Sequence, residues 1–79
     1  MKIGTVMGEV RLEKRLPGYE HARFFQVRLT EEIVVAADWL CPCQGDLVLL
    51  TQGNAARAYS MEYPCDALIL GIVENRKNG

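Results

Sequence analysis

Gly45-Asp46-Leu47-Val48-Leu49-Leu50-Thr51-Gln52-Gly53-Asn54-Ala55-Ala56-Arg57, followed after a polar loop by Pro64-Cys65-Asp66-Ala67-Leu68-Ile69-Leu70-Gly71-Ile72-Val73, is the stretch that decides how this chain folds. Asp46 to Thr51 and Ala67 to Glu74 read as strands. The unbroken apolar run in the first of them predicts burial on both faces. Between them, Asn54 is placed to cap a single helical turn through Ala55, Ala56 and Arg57. Residues Tyr59 to Asp66 form a loop closed by Pro64. No catalytic pattern lies in this stretch. It reads as a scaffold in which one irregular segment is held between two strands, and such segments face partners.

Working outward, the rest of the chain is also strand-like. From Ile3 to Leu12, Val6, Val10 and Leu12 share a face with Gly4 and Gly8, and strand glycines mark bends or close backbone approach. Lys14 to Arg23 is a polar loop around the turn signal Pro17-Gly18. From Phe24 to Leu29 the alternation of Phe25, Val27 and Leu29 with Gln26 and Arg28 has the period of a half-buried strand. Thr30 to Glu32 is a short connection, Ile33 to Ala37 a third strand, and Cys41-Pro42-Cys43-Gln44-Gly45 a loop. The fold class is therefore mainly β: a small five-stranded OB-like barrel with one short helical turn between strands 4 and 5. One domain is expected over residues 1–75, with a short polar tail at 76–79.

Seventy-nine residues bury only about 60–65% of the surface their unfolded chain exposes, so the core of one copy is marginal. With 49% hydrophobic residues, some apolar surface is available for self-association. Nine basic and ten acidic residues give a net charge of −1, without the basic face that phosphate binding demands. Lys14-Arg15 and Arg76-Lys77 are the basic pairs, and acidic residues adjoin both. Met1 to Val6 has no apolar segment of signal-peptide length, and Ile33 to Ala37 is far too short to span a bilayer. The expectation is a cytoplasmic protein with no membrane partner and reduced thiols.

Chemistry-bearing constellations are sparse. His21, the one histidine, sits in a polar loop without a nucleophile or an orienting partner in view, so no enzyme activity is expected. Cys41-Pro42-Cys43 has a shorter spacer than a zinc knuckle or a redox pair, and Cys65 does not complete a four-ligand site. The expectation is no metal and no cofactor; thiols packed in a tight loop stand beside a metal or redox role as readings of the three cysteines. No phosphate-binding glycine pattern is present. An OB-like module binding single-stranded nucleic acid or another polymer is the alternative function, and it would need a basic groove with exposed stacking rings.

The opening Met1-Lys2-Ile3-Gly4-Thr5-Val6-Met7-Gly8, then Gly45 to Leu50, Gly53 to Arg57, and Pro64 to Val73, occur in an order and spacing that resemble the bacterial microcompartment vertex proteins, the ethanolamine-utilisation and carboxysome pentamer family. The resemblance runs from Met1 to about Glu74. It implies a homopentamer of OB-like barrels that caps the five-fold vertices of a polyhedral shell and packs against hexameric shell proteins. By the same resemblance, Gly53, Asn54, Ala55, Ala56 and Arg57 lie towards the ring axis and its subunit contacts, with Arg57 a hydrogen-bond donor to a neighbouring subunit or to a backbone carbonyl. Pro64 and Asp66 match the entry to the last strand, where Asp66 fixes a turn. Asn54-Ala55 departs from the two serines found in relatives, and Cys41-Pro42-Cys43 replaces a loop of glycine and alanine.

Overall fold

In the computed structural model, residues 1–54, 56 and 66–74 are described. Strands β1 (Lys2–Val10), β2 (Phe24–Arg28), β3 (Ile33–Ala37), β4 (Leu47–Gln52) and β5 (Ala67–Ile72) close into a barrel in the order β1-β2-β3-β5-β4. β1 is long enough to pair twice. Its first half meets β4, with Ile3 opposite Leu49, and its second half meets β2, with Val10 opposite Phe24. The pairings are antiparallel except where β3 meets β5 through Ala37 and Leu68. Closure of this kind removes the free sheet edges that otherwise invite aggregation.

Alternation along each strand sends one set of side chains inward. Val6, Phe25, Val27, Leu29, Ala36, Val48, Leu50, Ala67 and Ile69 make the core. Each larger one contributes about 1.5–3 kcal/mol by leaving water. Gly4 is what lets β1 lie so close to β2. A Cβ on Gly4 would stand 2.5 Å from Val27 Cγ1 and 2.8 Å from the Arg28 carbonyl oxygen.

Two expectations are corrected. The first strand ends at Val10 instead of running to Leu12, which is 42% exposed. A bulge between Val6 and Gly8 shifts the register with β2, so the pleat that faces Val6 inward is not continued to Leu12. The second concerns β4. Val48 and Leu50 are fully buried, but Leu47 is exposed and Leu49 half-buried. A barrel wall is one strand thick, so its outer face is covered only by what folds over it or docks on it. The apolar run in β4 therefore fills the core with one face and presents the other outward.

A second, smaller cluster has the opposite parity. Phe24, Ala37 and Leu68 neighbour the inward-facing Phe25, Ala36 and Ile69 along their strands, and they pack with Ala56. That alternation puts them on the outside of the wall. The chain leaving β4 thus folds back over the outer face where β3 and β5 meet. The expected tail at 76–79 lies outside the described residues.

Candidate functional site

The segment after β4 is held by its backbone. Gly53 has φ +69°, a left-handed conformation that L side chains rarely adopt. Its N–H donates to the Asp66 carbonyl at 2.7 Å, and its own carbonyl accepts from the Ala56 N–H at 3.1 Å. Gln52 pairs with Ala67 in the last rung between β4 and β5. The bond from Gly53 to Asp66 therefore continues the ladder one step beyond the strands and pins the start of the turn.

Asn54 and Ala56 are helical. Gly53 stands immediately before Asn54, at the start of the turn. Ala56 is fully buried against Ala37, Leu68 and Phe24. A methyl group is what this outer seat accommodates; the residue serves shape, not chemistry. Asp66 is exposed, and its carbonyl is the group that holds Gly53. Of the residues singled out in the sequence, Gly53, Ala56 and Asp66 are thus brought together around one turn, with Asn54 exposed on it. Ala55, Arg57 and Pro64 lie outside the described residues.

The cysteine loop is stitched separately. The Cys41 N–H donates to Asp38 Oδ2 at 2.6 Å, and the Cys43 N–H donates to Asp46 Oδ2 at 2.8 Å. Gly45 N–H donates to the Val6 carbonyl and Val6 N–H to the Asp46 carbonyl, at 2.8 and 2.9 Å, which ties the loop to β1. Cys41 and Cys43 are free thiols at the surface, and Cys65 lies outside the described residues. Among the described residues, no group of three or more His, Cys, Asp and Glu is placed to hold a metal ion, and no helix is long and apolar enough to cross a membrane.

Asp38 is the residue that sequence reasoning missed. It is buried at the end of β3, and its Oδ1 has no hydrogen-bond partner among the described residues. Its one signal in the sequence is an aspartate three positions before a loop cysteine, the spacing at which a carboxylate can accept that residue's N–H. His21 is exposed beside Glu20. The backbone N–H groups of Glu20 and Gly18 hold the Glu20 carboxyl below its usual range.

Outside these two loops, the wall is notably apolar. Ile3, Ile33, Val35, Leu47 and Leu70 each keep more than a third of their surface exposed. The seat of Ala56 lies between the outward faces of β3 and β5.

The sequence profile of the family described as "Ethanolamine utilisation protein EutN/carboxysome" matches residues 1–74. No curated protein sequence is a match. Among solved structures, CcmL of Gloeobacter violaceus is 30% identical over 99% of this chain and 90% of its own, with a TM-score of 0.81. A pentameric shell protein from the RMM microcompartment is also 30% identical, over 100% of this chain and 96% of its own, with a TM-score of 0.81. The ethanolamine utilization protein EutN of Escherichia coli is 29% identical over 100% of this chain and 91% of its own, with a TM-score of 0.77.

Proposed function

We propose a function from one premise: this chain belongs to the ethanolamine utilisation protein EutN/carboxysome family. In this reading it is a structural subunit, not an enzyme. Five copies form a ring that caps a five-fold vertex of a bacterial microcompartment in the cytoplasm and packs against hexameric shell proteins. The observation that supports it most is the likeness to a pentameric microcompartment shell protein, at 30% identity over almost the full length of both chains.

The physical logic agrees. Six-fold tiles make flat facets, and a closed shell needs five-fold units at its corners. A ring contact is heterologous and closes on itself. It gives a small barrel with a marginal core two neighbours against which to bury its outer wall. In this ring, Gly53, Asn54, Ala55 and Arg57 face the axis and its contacts, while Ala56, buried in its own subunit, anchors the segment to the wall. Arg57 donates across the subunit boundary, and Pro64 and Asp66 set the entry to β5. A net charge of −1 weighs against binding single-stranded nucleic acid.

Co-production with hexameric shell proteins tests the role. Closed polyhedral shells containing the chain are expected, with elongated or unsealed assemblies when it is omitted. Shells that close equally well without it, and from which it is absent when present in the cell, would refute the vertex role.

A further inference from the structure

The loop between β3 and β4 sets two thiols side by side, and the shell role makes no use of them. Cys41 and Cys43 are both exposed, whereas Pro42 between them is buried. The chain dips inward at the proline and leaves both cysteines on its outer side. Their backbones are held independently of their side chains. The Cys41 N–H donates to Asp38 Oδ2 and the Cys43 N–H to Asp46 Oδ2, and the Cys43 carbonyl accepts from the Asp46 N–H at 3.0 Å. Two residues of chain span at most about 7 Å, against Cα separations of roughly 4.4–6.8 Å across disulfides. Joining the two sulfurs therefore asks for an adjustment inside the loop and none in the barrel.

The same loop carries two local costs. Cys41 holds φ 55°, a conformation that costs a non-glycine residue roughly 1–2 kcal/mol. Beside it, Asp38 is 3% exposed, and its Oδ1 has no hydrogen-bond partner among the described residues although its Oδ2 holds the Cys41 N–H. A buried polar atom left unpaired costs about 1–3 kcal/mol. Strained backbone and orphaned buried polar atoms collect at functional sites, and here both converge on Cys41. Glycine would relieve the backbone at this position; the chain keeps a thiol there.

We infer that Cys41 and Cys43 form a redox-active dithiol that exchanges with low-molecular-weight disulfides. One cysteine, as its thiolate, attacks a disulfide RS–SR. A bond forms from its Sγ, the RS–SR bond breaks, and the departing RS⁻ takes up a proton equivalent to the one the cysteine lost. The second cysteine then attacks the Sγ of the first, which forms the Cys41–Cys43 bond and displaces the other RS⁻, and that thiolate takes up the second proton. The pair gives up two electrons, and RS–SR gains them as two RSH. A disulfide closing so short a loop constrains the unfolded chain little, so it is not a staple for the fold. Exposed and strained disulfides are the readily reduced ones, which makes the exchange reversible. The site belongs to one subunit and does not depend on the homopentamer reading.

Oxidised glutathione is the probe. Four reduced proteins are treated with it without air: wild type, Cys65→Ser, and Cys41→Ser and Cys43→Ser each in the Cys65→Ser background. Free thiols are then trapped by alkylation, and the products are read by denaturing mass spectrometry with peptide mapping. Wild type and Cys65→Ser are expected to lose the mass of two hydrogens, with the new bond mapped between Cys41 and Cys43. The two double variants lack the resolving thiol, so the loop cysteine left in each is expected to retain one glutathione and to release at least tenfold less of it over the same interval. Serine at these exposed positions leaves the buried Pro42 and the backbone bonds in place, and unchanged far-ultraviolet circular dichroism checks this. Separate glutathiones retained on Cys41 and Cys43, a bond running instead to Cys65 or between subunits, or no reaction in wild type would overturn the assignment.

Discussion

Gly4 and Cys41 show how single residues set the backbone. At Gly4 the missing side chain is what allows β1 to approach Val27 and the Arg28 carbonyl. Gly4→Ala puts a methyl group into a space bounded by the Val27 and Leu29 side chains and the Arg28 carbonyl, and the carbonyl cannot rotate away. A loss of about 1–3 kcal/mol is expected, measured by urea unfolding at matched protein concentration, because association would otherwise move the midpoint. Cys41 is the converse, a non-glycine residue at φ 55°. The left-handed conformation costs such a residue roughly 1–2 kcal/mol, and glycine returns part of any gain through backbone entropy. Cys41→Gly should therefore raise stability by about 0.5–1 kcal/mol in the same unfolding measurement. A fall in stability would mean that the thiol has a packing role its surface exposure does not reveal.

At the level of elements, the turn after β4 is held by one backbone bond and one buried methyl group. Ala56→Leu adds three carbons to a fully buried outer seat of Phe24, Ala37 and Leu68. It should lift the turn off the wall at a cost of about 1–3 kcal/mol. Amide exchange at Gly53, whose N–H is bonded to Asp66, should accelerate while exchange in the centre of β2 changes little. Unchanged exchange at Gly53 would separate the turn from its seat. Much of this level was legible in the sequence. The period-2 pattern from Phe24 and the apolar block Ile33 to Ala37 are local signals, and those strands stand where they were expected. Three features were not legible, each because it depends on residues distant in the chain. The bulge that ends β1 early is set by pairing with β2. The second cluster needs Phe24, Ala37, Ala56 and Leu68 to meet on one wall. Burial of Asp38 depends on β2 lying beside it, where its N–H donates to the Arg23 carbonyl at 3.1 Å. Of the candidate site, the sequence marked Gly53 and Asp66 as turn residues, but the bond joining them appears only when β4 and β5 are side by side.

For the whole molecule, the decisive property is that its barrel is closed but its surface is not finished. The inward face of every strand is filled by the core, while the outward faces of β1, β3, β4 and β5 still show Ile3, Ile33, Val35, Leu47 and Leu70 to solvent. In the continuous apolar run Leu47 to Leu50, Val48 and Leu50 are covered by the core while Leu47 remains exposed; in the proposed ring a neighbouring subunit is available to cover that outer face. That combination suits a tile whose role is to be surrounded. Family membership and likeness to a solved pentameric shell protein lead to the same account. The most direct test is the mass of the purified wild-type chain in solution, by native mass spectrometry or sedimentation at micromolar concentration. The account predicts a single species at five times the 8.9 kDa of one chain; a stable monomer, dimer or hexamer would contradict it.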